Sequence, residues 1–242
     1  MVCEMIATCS FASPAQRAGN GVLRSFNIAG PAGKLEALLN EGDAASDFSA
    51  LVCHPHPNGG GTMHNKVVYH AMKVLNAPEF GLQWPVLRFN FRGTGLSDGN
   101  HDGRAETGDV GAALAWLEKE FKRPVIVVGF SFGAAMALLA CCDGAERAPI
   151  RSNVRAIAAL GLPTRTANRE YRYSFLSQCS LSKLFLSGGC DQFAPAADLE
   201  RLAATTAEPK KLVLLPGADH FFTGQLDAMQ NELAGWLKEQ LK

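Results

Sequence analysis

Val125-Ile126-Val127-Val128-Gly129-Phe130-Ser131-Phe132-Gly133-Ala134-Ala135-Met136-Ala137-Leu138-Leu139-Ala140 is the stretch that decides the fold. A β-branched run enters Gly-x-Ser-x-Gly and leaves it as unbroken apolar sequence. The first part reads as a buried parallel strand, the second as a helix covered on all sides. Between them the backbone must reverse within a few residues. Gly129 and Gly133 have no Cβ, so strand and helix can approach closely and Ser131 can take a strained φ/ψ. This strand–turn–helix context separates a nucleophile elbow from a serine in an ordinary glycine-rich turn. It holds the Ser131 hydroxyl out at the C-terminal edge of a sheet, above a helix N-terminus whose free N–H groups can bind an oxyanion.

Outward from this core, strands and helices alternate. Leu23–Ile28 and Lys34–Leu39 read as strands of a hairpin joined by Gly30-Pro31-Ala32-Gly33. Ser49–Cys53 is a short apolar strand. Val67, Val68, Ala71, Met72 and Leu75 form a helical stripe. Pro85–Phe91 returns as a strand, Arg92-Gly93-Thr94-Gly95 as a turn, and Val110, Ala113, Leu114, Leu117 and Phe121 as an amphipathic helix. Beyond the elbow come strands at Val154–Leu160, Ser182–Ser187 and Lys211–Leu215. Leu199–Ala204 reads as a helix, and a closing helix carries Leu226, Met229, Leu233, Trp236 and Leu237. Such alternation predicts an α/β fold: a mostly parallel twisted sheet with helices on both faces and an N-terminal antiparallel hairpin. Residues 1–20 read as a loose arm and 21–242 as one domain. The connector from Gly161 to Leu181 has room for a small cap, not a lid domain.

A serine hydroxyl needs a base to become a nucleophile. Of the six histidines, His54, His56, His64, His70, His101 and His220, His220 follows the last strand. A parallel sheet would bring it to the same edge as Ser131. An imidazole base needs a carboxylate to fix its tautomer. Asp191 follows Ser182–Ser187 through Gly188-Gly189-Cys190 onto that edge. Its plainer reading is a cap before Pro195. Asp219 is the rival, but as the immediate neighbour of His220 it would need an unusual bend to reach the ring. The order Ser131, Asp191, His220 is the one expected of this kind of elbow.

An oxyanion site needs two N–H donors. Phe132, after the nucleophile, supplies one. The second is expected from His54-Pro55-His56-Pro57-Asn58-Gly59-Gly60-Gly61, where the prolines cannot donate. His56 comes first, with Asn58 or Gly59 behind it. The pair His54-x-His56 is a weak metal signal without a third ligand. Neither Gly59-Gly60-Gly61-Thr62 nor Gly93-Thr94-Gly95-Leu96-Ser97-Asp98-Gly99 fits a phosphate or dinucleotide loop. No metal or cofactor is therefore expected.

Composition bounds the partners. The 242 residues are 47% apolar and 19% charged, with 23 basic and 23 acidic side chains. A net charge of zero offers no general attraction to nucleic acid or anionic lipid. No apolar run reaches the roughly 18 residues a membrane helix needs, and no secretory signal is evident at the start. The seven cysteines, Cys3, Cys9, Cys53, Cys141, Cys142, Cys179 and Cys190, are odd in number and form no C-x-x-C. They read as reduced thiols of a cytoplasmic protein. A homodimer stays open.

Together these segments resemble the α/β-hydrolase superfamily, and within it small lidless bacterial hydrolases related to dienelactone hydrolases. The resemblance rests on His54-Pro55-His56-Pro57, Gly60-Gly61-Thr62-Met63-His64-Asn65-Lys66-Val67-Val68, Leu87-Arg88-Phe89-Asn90-Phe91-Arg92-Gly93, the elbow, and Gly217-Ala218-Asp219-His220-Phe221-Phe222. It implies that Ser131, Asp191 and His220 form a triad and that Asn65, Lys66, Arg88 and Arg92 brace the loops around it. Dienelactone hydrolases carry a cysteine nucleophile where this chain has Ser131, so a general serine esterase fits better. The expected activity is cleavage of a small-molecule carboxylic ester or thioester without a cofactor. A binding protein of the same fold without turnover, and an amidase or peptidase using the same residues, are the alternatives.

Overall fold

The apolar runs become the centre of the molecule. In the computed structural model, which describes residues 22–143, 153–166 and 169–240, every residue of β3 (Ser49–Cys53), β4 (Val86–Phe89) and β5 (Val125–Phe130) is buried. They join β1 (Leu23–Gly30), β2 (Gly33–Asn40), β6 (Val154–Leu160), β9 (Ser182–Gly188) and β10 (Lys210–Leu215) in one eight-stranded sheet, ordered β1-β2-β4-β3-β5-β6-β9-β10. The hairpin β1–β2 is antiparallel and meets β4 antiparallel, and the strands from β4 to β10 are parallel. The predicted architecture is thus present. The hairpin is tighter than expected, with Gly30 paired to Gly33 and only Pro31-Ala32 between them. The predicted strand at Pro85–Phe91 is shorter: Phe91 instead donates its N–H to the His54 ring.

Alternation along β5 sorts the core into two layers. Val125 and Val127 pack with α2 (Glu106–Phe121) and α3 (Phe132–Cys142). Ile126 and Val128 pack with α1 (Lys66–Asn76) and with Met229, Leu233, Trp236 and Leu237 of α5 (Leu226–Gln240). A period of two on a sheet with both faces covered produces this division. The helix α4 (Ala196–Thr205) adds Leu199 to the first layer. Among the described residues, the connector between β6 and β9 carries a small ribbon, β7 (Arg165–Thr166) with β8 (Arg169–Glu170), and a short 3₁₀ turn at Ser174–Gln178.

The thiol expectation needs correction. Cys142, at the end of α3, is joined to Cys179 by a disulfide, their Cα atoms 5.3 Å apart across 37 residues. Spacing in the chain could not show this pairing, because the fold, not the sequence interval, brings the connector under α3. Cys53 and Cys190 are free thiols. Cys3 and Cys9, like the expected N-terminal arm, lie outside the described residues. A cytoplasmic location loses the support it drew from uniformly reduced thiols. No helix of the described residues is long and apolar enough to cross a membrane.

Candidate active site

Because β3, β5, β9 and β10 run parallel, the residues that follow each of them meet at one edge. Ser131 follows β5 directly and caps α3 with φ 55° and ψ −121°, a conformation that costs a non-glycine residue about 1–3 kcal/mol. Ser131 holds it because its N–H bonds Leu160 O of β6 at 2.8 Å while its own carbonyl accepts from Ala134 and Ala135. The predicted close approach is real on both sides. A Cβ on Gly129 would lie 2.4 Å from Ala134 Cα, and one on Gly133 would lie 2.5 Å from the carbonyl oxygens of Cys53 and His54.

The structure brings Ser131, His220 and Asp191 together. His220 Nε2 is 3.0 Å from Ser131 Oγ, and His220 Nδ1 is 2.7 Å from Asp191 Oδ2. The carboxylate side therefore holds the ring proton on Nδ1, leaving Nε2 to accept from the serine hydroxyl. Asp191 is buried, and its charge is well solvated by the protein: Oδ2 also accepts from Ser187 Oγ at 3.1 Å, and Oδ1 accepts from the N–H groups of Phe193 and Ala194 at 2.8 and 3.1 Å. Asp191 thus caps the turn before Pro195 and also lies within hydrogen-bond distance of the imidazole. Asp219 faces elsewhere. Its Oδ1 accepts from the N–H groups of Phe221 and Thr223 at 3.0 and 2.9 Å, and these bonds hold its carboxyl below the usual range.

The loop after β3 lies against the elbow. His56 and Phe132 line the same cleft as Ser131, and their rings are 5.0 Å apart. Phe132 is the first residue of α3, where a helix leaves its N–H groups without intrahelical acceptors. His56 Nδ1 accepts from Asn58 N–H at 3.2 Å and its carbonyl accepts from Gly59 and Gly61, so this short turn is fixed by its own bonds. His54 is fully buried and does different work. Phe91 N–H donates to its Nε2 at 3.0 Å, so the proton resides on Nδ1, which donates to Pro55 O at 2.7 Å. Burial lowers its pKa to about 4. With both ring nitrogens engaged, His54 has no lone pair to share with His56 at a common ligand.

The residues expected to brace the loops do so in three cases. Asn65 caps α1, its Oδ1 accepting from Val67 N–H at 2.9 Å, and it also lines the cleft. Arg88 donates to Met63 O at 3.2 Å and Asn40 Oδ1 at 3.1 Å. Arg92 grips the fully buried Asp109 through Nε and Nη2. Lys66, the first residue of α1, is exposed, and no contact among the described residues gives it a bracing role. Two partners were missed in the sequence. Asn90 joins Met63 N–H to Glu36, and Ser187 steadies Asp191. Asn90 stood inside a quoted motif without a role, and nothing in local sequence marks Ser187. Also missed were the cleft walls Pro163, Thr166, Tyr171, Phe193 and Phe221, which surround a cavity of about 470 Å³.

A buried carboxylate, an imidazole and a hydroxyl in hydrogen-bond sequence can move one proton from the hydroxyl onto the ring as the oxygen attacks a carbonyl carbon. Comparison with known proteins agrees with the fold that carries this arrangement. The alpha/beta hydrolase family matches residues 50–180. The uncharacterized protein RP471 of Rickettsia prowazekii is 32% identical over 216 residues, covering 86% of each chain. A solved structure, that of an alpha-beta serine hydrolase homologue from Coxiella burnetii, is 30% identical with a TM-score of 0.77, covering 88% of this chain and 97% of that one. XC6422 from Xanthomonas campestris, described as a serine hydrolase without lid, is 25% identical with a TM-score of 0.73, covering 90% and 94%. The chain belongs to the alpha/beta hydrolase family.

Proposed function

We propose that this protein is a serine hydrolase that cleaves carboxylic esters through an acyl-enzyme. Ser131 Oγ attacks the ester carbonyl while His220 Nε2 takes its proton, then returns that proton to the leaving alcohol. A water activated by the same nitrogen releases the acid and restores Ser131. Asp191 keeps the ring oriented and stabilises the imidazolium that forms. The N–H groups of Phe132 and His56 hold the oxyanion. The observation that carries this reading is the Asp191–His220–Ser131 hydrogen-bond chain, 2.7 and 3.0 Å, opening on the cleft.

A fluorophosphonate probe and a panel of 4-nitrophenyl esters of rising chain length test it. The expected result is labelling at Ser131 and hydrolysis, both abolished in Ser131→Ala while folding is kept. An unlabelled native protein that turns over no ester overturns the reading and favours a fold used only for binding.

A further inference from the structure

Beside the cleft three aromatic rings pack on one another. The His101 ring is 4.6 Å from that of His56 and 5.2 Å from that of Phe132, both edge to face, and His56 and Phe132 are 5.0 Å apart. His56 and Phe132 are the two proposed oxyanion donors. His101 comes from the loop between β4 and α2 and is not among the described residues that line the cleft. Behind it stands Glu106, fully buried at the start of α2. Glu106 Oε1 accepts from Asp102 N–H at 3.0 Å. His101 Nδ1 lies 2.6 Å from the same oxygen, a close contact rather than an aligned hydrogen bond. Glu106 Oε2 finds no hydrogen-bond partner among the described residues. A carboxyl group is costly to bury in that state, and an apolar side chain would fill the same space. Here it sits against a ring that touches both donor residues.

Resting on the esterase reading, we propose that His101, backed by Glu106, is a positioning residue that sets how far apart the His56 and Phe132 N–H groups stand. The turn that carries His56 needs such a prop. Its own hydrogen bonds close it on itself, so it moves as a unit, and Asn58, Gly59 and Gly60 are exposed on its outer side. Ring packing on its inner side fixes its distance from α3. Edge-to-face ring pairs favour one geometry over its neighbours. Oxyanion stabilisation falls steeply when a donor shifts by an ångström.

Two substitutions separate this role from simple packing. His101→Gln keeps an amide to face Glu106 but has no ring, whereas His101→Phe keeps a ring but leaves the Glu106 carboxyl against hydrocarbon. With a 4-nitrophenyl ester, kcat is expected to fall at least about tenfold in His101→Gln with KM within about twofold, because the oxyanion contact is made in the transition state. Ser131 Oγ adds to the carbonyl carbon of a trifluoromethyl ketone, its proton passing to His220 and the carbonyl electrons to an oxyanion. Affinity for that inhibitor should weaken in His101→Gln by a similar factor. His101→Phe is expected to recover kcat to within about threefold of native while melting below His101→Gln. Activities that follow the melting temperatures in the same order overturn the proposal, as does an undiminished kcat or inhibitor affinity in His101→Gln. If either variant does not fold, the same substitution made together with Glu106→Gln takes its place and is judged on kcat and inhibitor affinity. A native protein that hydrolyses no ester and whose Ser131 resists a fluorophosphonate overturns the esterase reading and this inference with it. Loss of the inference alone leaves native turnover intact.

Discussion

His54 shows how a side chain can look functional in a sequence and prove to be a structural pin. Its neutral ring ties the end of β3 to the segment after β4, and protonation would break the bond from Phe91 N–H. The folded-state pKa is about 4 against an ordinary 6.5, so the unfolded chain takes up the proton first as the pH falls. Stability from this group is unaffected above pH 6.5 and declines between 6.5 and 4, by about 3 kcal/mol in all. Urea midpoints across that window should fall more steeply for the native protein than for His54→Gln, by about one proton's worth of slope. At Asp191 the expectation is kinetic. Asp191→Asn keeps the shape but favours the wrong tautomer of His220, so kcat should fall about 10³–10⁴-fold with KM nearly unchanged in steady-state assays. That Ser131, His220 and Asp191 would meet at one sheet edge was legible in the sequence because each lies in the segment after a recognisable strand. The pinning role of His54 was not legible, since in a proline-rich loop it carries the same local signal as His56 two residues on and differs from it in what the fold packs around it.

At the level of elements, the site depends on how closely α3 approaches the loop after β3. Gly133 permits that contact, with two backbone oxygens where a side chain would begin. Gly133→Ala should push α3 away from the Cys53–His54 backbone, displacing the proposed oxyanion donors Phe132 and His56 together. Ester hydrolysis should drop by about 100-fold or more, and thermal unfolding should show a lower midpoint. The strands and helices themselves were readable because β-branched runs and helical stripes carry their period within one segment, as in Val125–Val128 and in Val67, Val68, Ala71, Met72 and Leu75. The cleft walls had no such signal. Pro163, Thr166, Tyr171, Phe193 and Phe221 come from loops and a short ribbon, where side-chain direction follows from tertiary contacts rather than from period.

Across the whole molecule, the disulfide between Cys142 and Cys179 fastens the connector to α3, the helix that Ser131 caps. Closing a loop of 37 residues is worth about 3–4 kcal/mol in the chain-entropy account. Reduction should therefore lower the melting temperature, and alkylation of the native protein before and after reductant should reveal the extra pair of thiols by mass. The bridge escaped the sequence reading because an odd cysteine count gives no hint of which two residues the fold will juxtapose.

The connector has a wider consequence. Ser131, Asp191 and His220 each lie in a segment that follows a strand of the sheet, whereas Pro163, Thr166 and Tyr171 belong to one connector between β6 and β9. On the esterase reading, replacing that connector would change which groups fit the cleft while Ser131, Asp191 and His220 keep their places at the sheet edge.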